Sequence, residues 1–133
     1  MPDVDLVIFD CDGVLVDSEP ISGRVLAAAL TGAGLPTTPA EARRRYQGLQ
    51  LADVAARAET ELADAGLPDG WLAAFVEDRA AVFRRELRPV AGAATAVKQV
   101  KAAGIGVCVA SQAGHEKIRL TLGLTGLARL FPD

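Results

Sequence analysis

The stretch that most limits the folds open to this chain is Val4-Asp5-Leu6-Val7-Ile8-Phe9-Asp10-Cys11-Asp12-Gly13, near the N-terminus. An apolar run from Leu6 to Phe9, rich in β-branched and aromatic types, predicts a strand buried on both faces. The run stops at Asp10, which places that carboxylate at the carboxyl end of the strand. In open α/β sheets the ligand crevice lies there. Gly13 then allows a sharp turn and a close backbone approach to a ligand.

Two carboxylates two residues apart can divide labour. One can attack an electrophile and form a covalent intermediate, while the other gives and takes protons. With a backbone carbonyl they can also hold a hard cation such as Mg²⁺. A bare Asp-x-Asp would more often be a pair of acids in a solvated turn after a strand.

The longer string, unbroken from Asp10 through Gly13, Val14, Leu15, Asp17, Ser18 and Glu19 to Pro20, resembles the first signature of the haloacid dehalogenase superfamily. Within it, the string resembles the β-phosphoglucomutase-like and phosphoglycolate-phosphatase-like branch. The resemblance implies that Asp10 is the nucleophile that becomes phosphorylated and Asp12 the general acid/base. It also implies a Mg²⁺ site to which Asp10 and Asp12 contribute, the latter through its backbone carbonyl.

The rest of the chain falls into order behind that signature. Helical periodicity with four interruptions predicts helices from Ser18 or Glu19 to Ala33, from Thr38 to Arg45, from Leu51 to Ala65 and from Asp69 to about Arg88. Four helices without an intervening strand pattern form a small bundle. An amphipathic segment from Ala93 to Ala103 follows, capped by Gly104. Ile105 to Ala110 reads as a second fully buried strand, with further helix from about Gly114 to Leu122 and then a segment from Thr125-Gly126-Leu127 to Phe131. Strand, insert, helix, strand and helix make a parallel, α/β sheet. The expected architecture is a partial Rossmannoid parallel-sheet core, residues 1–14 and 89–133, with a helical cap of residues 15–88 inserted.

Ser111, directly after the second strand, matches the family's second signature, so the resemblance assigns it to phosphate binding together with Gln112. Free N–H groups from Gln112 to Gly114 would add a backbone anion site. Read alone, Ser111 would simply cap the next helix. In the cap, Gly48 and Gln50 lie in the loop corresponding to the family's substrate-specificity loop. Arg43-Arg44-Arg45 reads as a solvated helix face, and Tyr46 and Trp71 as cap core.

Composition limits the partners. The 133 residues are half apolar and carry a formal net charge of −3, which argues against nucleic acid as a partner. No apolar run reaches the roughly 20 residues that a membrane span needs, and the start has no basic n-region, so the expected location is cytoplasmic. Cys11 and Cys108 read as free thiols, and a single histidine, His115, leaves no histidine-based triad or zinc site.

Taken together, these features predict a magnesium-dependent phosphohydrolase or phosphomutase of a small phosphorylated metabolite. Dehalogenation at carbon is a less favoured alternative, because halide leaves without a proton and Asp12 would have no task. A receiver domain would carry its phosphorylated aspartate on a later strand. The family also needs a lysine and an acidic cluster that should lie beyond residue 133, and neither Lys117 nor the lysines at 98 and 101 reads as a substitute. The remaining alternative is therefore a catalytically incomplete fragment serving as a binding or assembly unit, shielded by self-association or by a partner chain.

Overall fold

The computed structural model describes residues 3–132. They divide into two compact units, one running to Ser18 and resuming at Glu86, the other spanning Glu19–Arg85. Residues 15–18 and 86–88, which the sequence assigns to the insert, thus belong to the first unit. Backbone bonds hold them there: Asp17 N–H donates to Arg88 O and Val90 N–H to Leu15 O, each at 2.9 Å.

The first unit contains β1 (Leu6–Phe9), α5 (Ala93–Ala102), β2 (Gly106–Val109), α6 (His115–Thr125) and a 3-10 turn at Ala128–Leu130. The two strands run parallel, in register from Leu6↔Gly106 to Phe9↔Val109. Gly106 permits the close pairing, since a Cβ there would stand 3.2 Å from Asp5 O. The left-handed Gly104, φ 78°, ends α5 and turns the chain into β2.

Parallel partners point to the same side of a sheet, and successive residues alternate. Val107 is buried, and on the same face the Phe9 ring meets Phe131 edge-on at 6.0 Å. The other face carries Leu6 and Ile8, which are 49% and 61% exposed. The expectation of strands buried on both faces is therefore corrected for both. β1 is half open, and in β2 only Val107 is buried. An apolar run favours burial of either face, but among the described residues only one face acquires a cover.

The second unit holds α1 (Glu19–Gly32), α2 (Pro39–Tyr46), α3 (Leu51–Leu62) with a 3-10 turn at Ala63–Ala65, and nearly all of α4 (Trp71–Glu86). Local chemistry explains the boundaries. Thr38 caps α2 in a reciprocal box, its hydroxyl accepting from Glu41 N–H while the Glu41 carboxylate accepts from Thr38 N–H; Pro39 opens the first turn. Gly34, at φ 100°, lies just past the end of α1.

The four helices close around Leu26, Leu30, Tyr46, Val54, Trp71 and Phe75, with Ala27, Ala42 and Ala58 allowing close approach. Trp71 Nε1 donates to Ala29 O at 3.0 Å, and its ring stacks on Phe75 at 5.9 Å. Tyr46 and Trp71 are thus core residues of this unit, as expected. Leu30 is fully buried, a placement that contributes about 1.5–3 kcal/mol. On α4 the buried stripe is Trp71, Phe75, Arg79 and Phe83, spaced every four residues. Arg79 lies over both neighbouring rings, while Val76 is exposed.

Candidate active site

The ladder extends one bond beyond the strands, Ala110 N–H donating to Phe9 O at 2.9 Å. Asp10 and Ser111 therefore leave neighbouring parallel strands at the same carboxyl edge, where an α/β sheet places its ligands. Asp10 is exposed, and its Oδ1 accepts from the Cys11 N–H at 2.7 Å. After it the chain winds around the Cys11 carbonyl, which accepts from Leu15 N–H at 2.8 Å. Gly13, at φ 75°, makes that winding feasible.

Asp12 is held at both oxygens. Its Oδ1 accepts from Ser18 Oγ at 2.6 Å, and its Oδ2 accepts from Lys117 Nζ at 3.0 Å. Ser18 is buried, whereas the Lys117 and Asp12 side chains retain 21% and 22% of their accessibility. Lys117 lies in the first turn of α6, 105 residues from Asp12. Sequence reasoning set this lysine aside. The available signal was topological: α6 follows the strand beside β1, so its first turn must begin at the edge that carries Asp10 and Asp12.

Between the two acids Cys11 is buried and lies 3.8 Å from Thr121 Oγ1. Burial pushes its thiol above the ordinary cysteine value, so it stays protonated and unreactive. Both cysteines are free, as expected.

Ser111 does not cap α6. That helix begins at His115 behind Gly114, and Ser111 Oγ instead accepts from Ala113 N–H at 3.1 Å. The Ala113 amide, expected among the free anion-binding donors, is thereby used. The Ser111 hydroxyl proton stays available to a ligand oxygen, and Gln112 is exposed beside it.

Gly48 and Gln50 belong to the other unit, in the loop between α2 and α3. Gly48 is exposed with φ 83°, and Gln50 is the N-terminal flanking residue of α3 without a side-chain cap. Of the nearby arginines, Arg43 and Arg44 are exposed, whereas Arg45 pairs with Glu61 and lies over the Tyr46 ring.

Among the described residues, no group of three His, Cys, Asp or Glu side chains converges on a metal position. The donor chemistry near Asp10 nevertheless fits Mg²⁺. That ion takes hard oxygens, often only one or two carboxylates plus substrate phosphate and water. With its carboxylate engaged by Ser18 and Lys117, Asp12 would serve through its main-chain carbonyl.

Comparison with known proteins identifies the family. The family model for haloacid dehalogenase-like hydrolases matches residues 4–133. The chain is 27% identical over its whole length to the 6-phosphogluconate phosphatase of Escherichia coli K12, of which it spans 59%. It is 29% identical to a haloacid dehalogenase-like protein of unknown function from Agrobacterium tumefaciens, with a TM-score of 0.79 over 98% of this chain and 57% of that one. A Deinococcus radiodurans hydrolase of the same class, solved with bound phosphate and sodium, superposes with a TM-score of 0.71 at 28% identity, covering 98% of this chain and 56% of its own. The chain belongs to the haloacid dehalogenase-like hydrolase family, and it spans little more than half the length of these relatives.

Proposed function

We propose that the protein carrying this chain is a magnesium-dependent phosphohydrolase or phosphomutase acting on a small phosphorylated metabolite. One observation carries the reading: an exposed Asp10 and a Ser111 with an available hydroxyl proton leave adjacent parallel strands at one edge, with a doubly bonded Asp12 beside them. Asp10 attacks phosphorus and the bond to the leaving oxygen breaks, while Asp12 supplies that oxygen with a proton. Water, or a second substrate hydroxyl in a mutase, then attacks the aspartyl phosphate and gives its proton to Asp12, restoring the Asp10 carboxylate. Ser111 donates to a phosphoryl oxygen, with Gln112 beside it. Bound Mg²⁺, held by Asp10 and the Asp12 carbonyl, would neutralise phosphoryl charge.

The phosphatase relative and the phosphate bound by the Deinococcus protein support this reading over dehalogenation. Gly48 and Gln50 would contribute to substrate choice. Steady-state turnover of phosphate monoesters in excess Mg²⁺ tests the reading. Asp10→Asn is expected to abolish turnover, because an amide is a poor nucleophile, and full activity in that variant overturns the phosphoaspartyl route.

A second reading, an assembly unit that self-associates, draws on Val4, Leu6 and Ile8, each exposed by nearly half or more. Sedimentation of the 133-residue chain as a monomer at every accessible concentration removes it.

A further inference from the structure

The geometry points to Lys117 as a positioning residue for Asp12: its ammonium group, acting with the Ser18 hydroxyl, fixes the plane of the carboxylate that handles protons. The inference rests on the acid/base reading of Asp12 given above. The terminal torsion of an aspartate is broad and roughly two-fold, so the backbone alone leaves the direction of the carboxyl lone pairs loosely set. A single donor would still let the group swing about that one contact. Here two donors from different parts of the chain each take a different oxygen, Ser18 on Oδ1 at 2.6 Å and Lys117 on Oδ2 at 3.0 Å. Ser18 is 1% exposed, so its hydroxyl is a fixed anchor. Lys117 is seated in the first turn of an eleven-residue helix.

A carboxylate offers about four acceptor sites. Two therefore remain to take a proton from water or to present one to the leaving oxygen. Each side chain of the pair keeps about one-fifth of its accessibility, so water can reach the Asp12 carboxylate once the pair is lost. Its loss leaves the fold standing and the carboxylate misdirected. Misplacement of a reacting group by about 1 Å can cost on the order of 100-fold in rate.

The test compares Lys117→Met and Lys117→Arg with the parent protein on two phosphate monoesters in excess Mg²⁺. One is an alkyl phosphate, whose leaving oxygen needs a proton; the other is p-nitrophenyl phosphate, whose leaving oxygen departs without one. Lys117→Met is expected to lower kcat/KM, which reads the steps up to departure of the leaving oxygen, about 100-fold on the alkyl ester. The aryl ester should lose about tenfold or less. Lys117→Arg, which keeps a charged donor, should recover most of the loss. A crystal structure of Lys117→Met should show the Asp12 carboxylate turned about its contact with Ser18, with Oδ2 displaced from its present position, a readout independent of turnover.

Equal losses of kcat/KM on both esters, or an unmoved Asp12 in that crystal structure, each overturn the inference. Asp12→Asn in the same assay separates the two levels. If it discriminates between the esters while Lys117→Met does not, the acid/base reading stands and only the role of Lys117 falls. If Asp12→Asn lowers kcat/KM equally on both esters, the reading and the inference fall together.

Discussion

Two glycines in α1 give a controlled test of how tightly the helical unit is packed. At Gly23 an added Cβ would stand 2.5 Å from Arg43 Cγ and 3.1 Å from Arg43 Cδ, with Pro39 O at 3.6 Å. At Gly32, in the same helix, it would meet nothing within 4 Å. Alanine in place of glycine gains about 0.4–1 kcal/mol where the helical backbone accepts it. At Gly23 the new methyl must displace a carbon one bond from the Arg43 Cβ, which requires Arg43 to leave its rotamer or α2 to shift. Overpacking of this kind costs about 1–3 kcal/mol. Gly32→Ala should therefore stabilise, and Gly23→Ala should fall below it by about 1–3 kcal/mol. Gly32 ends its helix and gains less from alanine than an interior site, so the gap is a lower bound on the steric cost.

For a 133-residue chain the unfolding entropy makes each kcal/mol worth about 3–4 °C in Tm, so the two variants should differ by roughly 3–12 °C. Thermal melts followed by circular dichroism, paired with urea unfolding, measure the gap. Removing the obstacle supplies the control. In the Arg43→Ala background the Gly23→Ala penalty should vanish, a coupling that a double-mutant cycle isolates. Equal stabilities for the two alanine variants, or a penalty that survives Arg43→Ala, would refute the packing argument.

Four further expectations follow from individual residues. Thr38→Ala should cost about 1 kcal/mol in urea unfolding, through loss of the α2 cap. The hydrogen bond from Thr38 N–H holds the Glu41 carboxyl below its ordinary value of 4.5. Its stabilising contribution is complete above that value and fades as pH falls through the depressed one, and Glu41→Gln should flatten this part of the acid unfolding curve. Gln50→Ala should change the ranking of phosphorylated substrates while moving stability by only about 0.5 kcal/mol, and an unchanged ranking returns the loop to an ordinary helix connection. Cys11, buried and protonated, should resist iodoacetamide at pH 8 in the folded protein, whereas labelling of Cys11 as fast as in urea would show that its site opens.

The features legible in the sequence are those set by near neighbours in the chain. Thr38, Pro39 and Glu41 write the start of α2 within four residues, because a capping box is a local exchange of hydrogen bonds. Gly13 and Gly104 mark left-handed turns that only the residue's own backbone decides. The four helices of the second unit follow from periodicity and punctuation. The order Asp10, Asp12, then Ser111 after a second apolar run also sufficed to place the candidate site at a sheet edge.

The tertiary structure decided whatever depends on residues far apart in sequence. An apolar run such as Leu6–Phe9 states that burial is favourable, but not which face receives a cover; Phe131 reaches the Phe9 side while Leu6 and Ile8 stay open. Arg79 sits in an otherwise apolar stripe because the rings of Phe75 and Phe83 stand one helical turn to either side of it. The pair between Lys117 and Asp12 spans 105 residues and forms because two parallel strands bring the loop after β1 and the first turn of α6 to a common edge. No local pattern around Lys117 encodes that meeting, since it is the sheet that sets the distance between the two charges.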